Sequence, residues 1–219
     1  MLCSPLHPPR NLDFFNNICH TVHMSTGKNS KSAIQAKRIA QLAQMNEIIF
    51  HTRDLANLWL IKNKNTLYTT LKRYQKAGLI YRIFKGLYSL LPVEKNNPYL
   101  LGAHAISNYC YLGAETVLFR SGFISQNPSF ITFLSSLNKK IRIGAYYYKS
   151  RQLADRFLYN PMGIEKINQI QTATSERAIA DMLYFNPHFH FDKKPDWNAV
   201  IKLQKILGYP LTPERYDTA

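Results

Sequence analysis

Between Lys64 and Lys76 the chain carries Lys, Arg, Asn, Thr and Gln and no carboxylate. Projected at about 100° per residue, Leu67, Leu71 and Tyr74 share one stripe with Thr70 beside them, while Asn65, Thr66, Thr69, Lys72, Arg73 and Lys76 occupy the opposite side. That second face is suited to a nucleic acid. Lysine and arginine neutralise phosphates, and Arg, Asn and Thr can meet base edges in a major groove. Arg82 and Lys85 form a smaller cationic group around Phe84-Lys85-Gly86. There Gly86 permits a tight turn between two short β-prone runs, residues 79–83 and 87–90.

Other chemistry is thinly represented. His188, His190 and Asp192 alternate and could offer two imidazoles and a carboxylate to a metal. A surface loop beside Pro187 accounts for them more simply, and Cys19, His20 and His23 make a similar but weaker cluster near the N-terminus. Nucleophile-elbow, zinc-protease, dinucleotide-binding and complete phosphate-loop patterns are missing; Gly27-Lys28-Asn29-Ser30 lacks the upstream glycine that a phosphate loop needs. The expectation is a chain that is not an enzyme, with no cofactor and no metal site. The run Tyr146-Tyr147-Tyr148 could stack on bases, but alternation on a half-buried strand explains it more simply.

The charge supports the reading of residues 64–85. Of 219 residues, 28 are Lys or Arg and 13 are Asp or Glu, a net charge of +15. Residues 1–97 hold fourteen basic side chains against four acidic ones, and residues 53–85 hold eight against Asp54 alone. A local surplus marks a phosphate-facing surface better than a diffuse one does. No apolar run approaches the ~20 residues of a bilayer-spanning helix. Three scattered cysteines and no secretory pattern point to a reducing, cytoplasmic setting.

The elements that would hold these residues follow from periodicity and caps. Residues 30–44 read as a first amphipathic helix. A short β-prone run, Ile48-Ile49-Phe50, precedes a second helix capped by Thr52. The third helix spans Lys64–Lys76 and stops at Gly78, suited to a left-handed cap. Helix, strand, helix, turn, helix and hairpin is the order of a winged helix-turn-helix. Beyond it, residues 99–106 and 111–121 read as helices, and 131–134, 141–149 and 166–171 as strands. Thr174 caps a helix running to Tyr184, and Trp197–Leu207 is the last helix. The expected fold is α+β: a winged helix-turn-helix at residues 30–91, a linker at 92–98 and a mixed α+β domain at 99–219. Residues 1–29 are expected to be a mobile leader, with Met24 a candidate for the native start.

Residues 52–91, followed by Tyr111-Leu112-Gly113-Ala114-Glu115-Thr116-Val117-Leu118 and Gly122-Phe123-Ile124, resemble the AbiEi antitoxin family. This family is the transcription-regulating half of type IV abortive-infection toxin–antitoxin pairs. Thr172-Ala173-Thr174-Ser175-Glu176-Arg177-Ala178-Ile179-Ala180-Asp181 looks like the family's "A-T-P-E-K-A-L-x-D" segment, with Ser175 in place of Pro and Arg177 in place of Lys. The similarity extends over residues 33–187. It implies a winged-helix domain that binds inverted repeats in duplex DNA at its own promoter and represses it, using Asn65, Thr66, Thr69, Lys72 and Arg73, with Arg82 and Lys85 on the wing. It also implies a C-terminal domain that counters a nucleotidyltransferase-like toxin. Three other readings stand beside this one: an RNA-binding module, a metal-dependent nuclease with an appended winged helix, and an interaction protein whose charge serves solubility.

Overall fold

A computed structural model describes residues 30–45, 47–107 and 109–211. The leader, Met24 and the Cys19, His20 and His23 cluster lie outside the described residues. Among those described there are eight α-helices and nine strands in two sheets, a mixed α+β fold. None of these helices is long and apolar enough to cross a membrane. The chain divides after Ile80 into two compact units.

In the N-terminal unit, α1 (Ser30–Gln44) precedes β1 (Ile49–His51), α2 (Thr52–Leu58) and α3 (Lys64–Lys76). Ile39, Leu42, Ile49, Phe50, Leu55, Trp59, Leu67, Leu71 and Tyr74 are buried, the apolar stripes that amphipathic helices must cover. Thr52 is not the cap of α2. His51 holds that position with extended backbone, and its N–H donates to Asp54 Oδ2 at 3.1 Å. The second helix ends without glycine: Leu60 takes φ 53°, and its neighbour's N–H, that of Ile61, returns to Ala56 O at 2.9 Å. α3 ends as its sequence suggests. Gly78 sits at φ 68°, and Leu79 N–H donates to Tyr74 O at 3.0 Å, the double-bonded C-terminal cap that favours glycine.

The C-terminal unit opens with an antiparallel hairpin, β2 (Tyr81–Phe84) and β3 (Leu87–Ser89), joined at Lys85-Gly86. Leu79, before the hairpin, and Ile83 within it are only half-buried. Ile80 is the core residue at this point, 2% exposed. Residues 92–98 are more ordered than a linker. Asn96 is buried, accepts from Ser89 Oγ at 2.9 Å, and donates to the carbonyls of Leu91 and Pro92. These bonds hold the hairpin to the residues that follow it.

The second sheet has six strands in the order β6-β7-β5-β4-β9-β8: β4 (Cys110–Leu112), β5 (Ile131–Ser135), β6 (Lys139–Ile143), β7 (Tyr146–Gln152), β8 (Ile164–Ile167) and β9 (Ile170–Ala173). Three expectations fail here. Residues 111–121 are not one helix. Cys110–Leu112 is a buried central strand, and Gly113 and Ala114 turn it into α5 (Ala114–Arg120). Residues 141–149 are not one strand either, because the chain reverses at Gly144 between β6 and β7. The strand expected near 166–171 is a hairpin whose turn residues, Asn168 and Gln169, both have positive φ.

Helices cover both faces of this sheet. On one lies α4 (Pro98–Ile106), capped by the Asn97 side chain. It approaches so closely that a Cβ on Gly102 would stand 2.5 Å from the Tyr148 ring. On the other face α5 packs against β5, with Thr116 Oγ1 accepting the Thr132 N–H at 2.7 Å. The short α6 (Asp155–Leu158) leads toward β8. α7 (Ser175–Phe185) packs on α5 and on α8 (Trp197–Leu207). Thr174 caps α7 as expected, accepting from Arg177 N at 3.2 Å.

Candidate nucleic-acid interface

The third helix is positioned by its ends and its buried side. Asn63 Oδ1 accepts from Asn65 N at 2.9 Å and Thr66 N at 3.2 Å, satisfying two amides that the helix itself cannot pair. Leu67, Thr70, Leu71 and Tyr74 are the buried residues of α3. Asn65, Thr66, Thr69, Lys72, Arg73 and Lys76 are all exposed. Its first turn holds no acid, and Arg73 and Lys76 fall in its last turn, where cations favour the helix dipole.

Arg73 is less free than its neighbours. Its guanidinium carbon stands 5.8 Å from the centroid of the Tyr74 ring, and that ring meets Trp59 edge-on at 5.5 Å. A cation–π contact at this distance biases where the guanidinium rests, while leaving it open to a ligand. Tyr68 was not among the expected site residues, yet it is 54% exposed and lies one turn from Lys64 and Lys72. Its phase on the helix was the available signal. An exposed ring amid cations can cover sugar or the methyl of thymine.

In the other unit, Arg82 and Lys85 are exposed on the hairpin, Lys85 in the turn itself. Arg82 stands opposite Tyr88 in the ladder, whose ring is buried.

The metal-ligand candidates do not converge. His190 is almost wholly exposed, with Nε2 4.0 Å from Asp192 Oδ1. Asp192 Oδ2 accepts from both the amide and the hydroxyl of Ser125, at 2.5 and 2.6 Å. These two bonds hold the Asp192 carboxyl below its usual range. Among the described residues no group of three or more His, Cys, Asp or Glu side chains could hold a metal ion.

The densest polar cluster lies elsewhere, inside the C-terminal unit, at residues that were not among the expected site residues. Arg177 and Asp181 are both fully buried on α7. All five guanidinium N–H groups are used: on Asp181 Oδ1 at 3.0 Å, on the Tyr111 hydroxyl, and on the carbonyls of Phe157, Asn160 and Met162. The hydroxyls of Tyr111 and Tyr209 each donate to the Asp181 carboxylate at 2.7 Å. Burial by itself would weaken the charge on Arg177, but Asp181 overrides it and raises the guanidinium's pKa. Burial, followed by the Asp181 charge, pushes both tyrosines well above their usual range and keeps them donors. The cluster is sealed and saturated, so its role is structural.

A smaller ion pair joins Glu115 of α5 to Lys149 and Arg151 of β7. Burial tends to raise the Glu115 carboxyl, but its own backbone amide and the two cations outweigh that and leave it below its ordinary value.

No family model matches this chain, and no curated protein does. Among solved structures, a crystal structure of the RV2827C protein from Mycobacterium tuberculosis is similar at a TM-score of 0.43 and 13% identity. It covers 80% of this chain and 67% of its own.

Proposed function

We propose that this protein is a DNA-binding transcriptional regulator with an N-terminal winged helix-turn-helix, acting in the cytoplasm and without catalysis. The observation that carries the reading is the outer face of α3. Six exposed polar or cationic residues stand there with no carboxylate among them, above a buried apolar side. In this reading α3 enters a major groove of double-stranded DNA. Lys72 and Lys76 neutralise phosphates, Asn65, Thr66 and Thr69 meet base edges at the start of the helix, and Arg73 pairs with guanine. Arg82 and Lys85 act as the wing and bind the backbone.

The resemblance to AbiEi antitoxins supplies the rest of the proposal. The protein represses its own operon through an inverted-repeat operator, and the C-terminal unit counters a nucleotidyltransferase-like toxin encoded beside it. A mobility shift with the DNA upstream of its own gene tests the first part. Binding should be specific, with log K falling linearly in log salt at a slope of about −0.9 for each phosphate neutralised. Lys85→Ala should flatten that slope by about one unit for any sequence. Equal affinity for operator and unrelated duplex would overturn the regulator.

A further inference from the structure

Two adjacent tyrosines of β7, Tyr147 and Tyr148, have opposite surroundings. Tyr148 is fully buried and donates to Pro98 O at 2.9 Å. Alternation along a strand sends Tyr147 to the opposite face, where it is 46% exposed. The ladder fixes its company: Arg142 pairs with Tyr147, Lys140 with Lys149, and Thr132 of β5 with Lys149. Lys140, Arg142 and Tyr147 therefore share one face with Phe130, two residues before Thr132.

Their side chains form a continuous group. The Arg142 guanidinium lies 5.1 Å from the Tyr147 centroid, Tyr147 meets Phe130 edge-on at 6.1 Å, and the Lys140 ammonium lies 5.7 Å from the Phe130 centroid. Lys140 and Arg142 are exposed, and no carboxylate among the described residues is within ion-pair distance of either. β6 is the outer strand of the sheet, so this face ends at an open edge. Beside Phe130 opens a cleft of about 500 Å³, whose wall includes Thr132, Lys149, Glu115 and the loop from Ile124 to Ser129. That size falls among small-ligand clefts, roughly 300–1,000 Å³.

We propose that the exposed face of the β6–β7 ribbon binds single-stranded nucleic acid, with bases stacked on Tyr147 and Phe130 and phosphates held by Lys140 and Arg142. The chemistry favours a single strand over a duplex. Rings on a sheet can stack only on bases free of their own neighbours, and cations flanking the rings follow the backbone between successive bases. The site goes beyond the α3 reading and uses none of its residues. A different account of the same side chains is that Lys140 and Arg142 only guard an open strand edge. In that account the tyrosine ring contributes nothing to binding.

The test is fluorescence anisotropy on the full chain with labelled oligonucleotides of about twelve residues: single-stranded RNA, single-stranded DNA of the same sequence, an abasic sugar–phosphate strand, and a duplex. Tyr147→Ala should lose about tenfold in affinity for at least one of the two base-bearing strands, and Tyr147→Trp should recover it. The duplex should be indifferent to both changes, and the abasic strand should bind weakly to wild type. Whichever of RNA and DNA binds tighter identifies the natural source. Ultraviolet cross-linking of that strand should mark the peptide containing Tyr147 or Phe130. Undiminished binding by Tyr147→Ala, or an abasic strand bound as well as the others, would overturn the proposal. So would single-strand binding that is abolished by Lys72→Ala alone. Failure of operator recognition would leave this result untouched, because that assay uses a different ligand and different residues.

Discussion

α3 and α7 are built alike and hold their arginines in opposite ways. Each is amphipathic and opened by a side-chain cap, Asn63 for α3 and Thr174 for α7. Arg73 lies on the exposed side of α3, resting against one ring, whereas Arg177 on α7 has no exposed surface and no unused N–H. A net charge of +15 counts both equally. The difference lies in their partners. A guanidinium saturated by a carboxylate, a hydroxyl and three carbonyls belongs to the fold, while one that faces water is available to a ligand.

The comparison predicts that these residues fail in different assays. Arg177→Met should destabilise the protein most, by about 3–5 kcal/mol, because it leaves Asp181 buried without its counter-charge. Urea denaturation measures this loss, and a change below about 1 kcal/mol would mean that the cluster does not hold the C-terminal unit together. Arg73→Ala should leave the denaturation midpoint nearly unchanged and lower operator binding by about 1–3 kcal/mol, with a smaller loss on unrelated duplex. Equal losses on both would demote Arg73 to a backbone contact.

Asn63→Ala should cost about 1 kcal/mol of stability through the two amides it uncaps. It should also blunt operator discrimination, since Asn65 and Thr66 begin the helix it anchors. Glu115→Gln is the smallest effect, up to about 1 kcal/mol at neutral pH for a pair that is partly exposed. The folded-state Glu115 carboxyl lies below its ordinary value of 4.5. Its contribution is therefore complete above that value and disappears as the pH falls through the folded pKa. Stability curves of wild type and Glu115→Gln should converge in acid, and a gap that stays constant with pH would rule out an electrostatic origin.

Legibility in the sequence followed the same division. α1, α3 and α8 run as their apolar spacing indicates, and the outward residues of α3 were readable because exposure there depends only on helical phase. Buried runs lack that phase. Cys110–Leu112 is apolar on every residue, so periodicity could not tell a central strand from the start of a helix. The turn at Asn168-Gln169 was hidden because neither residue is the glycine that usually marks positive φ. Arg177 and Asp181 stand four residues apart, the spacing of an ordinary solvated helix pair, and only the carbonyls of Phe157, Asn160 and Met162 show that the site is interior. The β6–β7 face needed the ladder, because no sequence pattern places Phe130 beside Tyr147.

The narrow approach of α4 to the sheet sets different evolutionary freedoms on neighbouring codons. Tyr148 fills the gap left by the missing side chain of Gly102, so any other residue at either place must be matched by a change at the other. Tyr147, one peptide bond away, answers to nothing behind the sheet. A library randomised at both tyrosines and selected only for folding should accept most residues at position 147 and very few at position 148. Specificity on the outer side can thus drift without disturbing the scaffold that carries it.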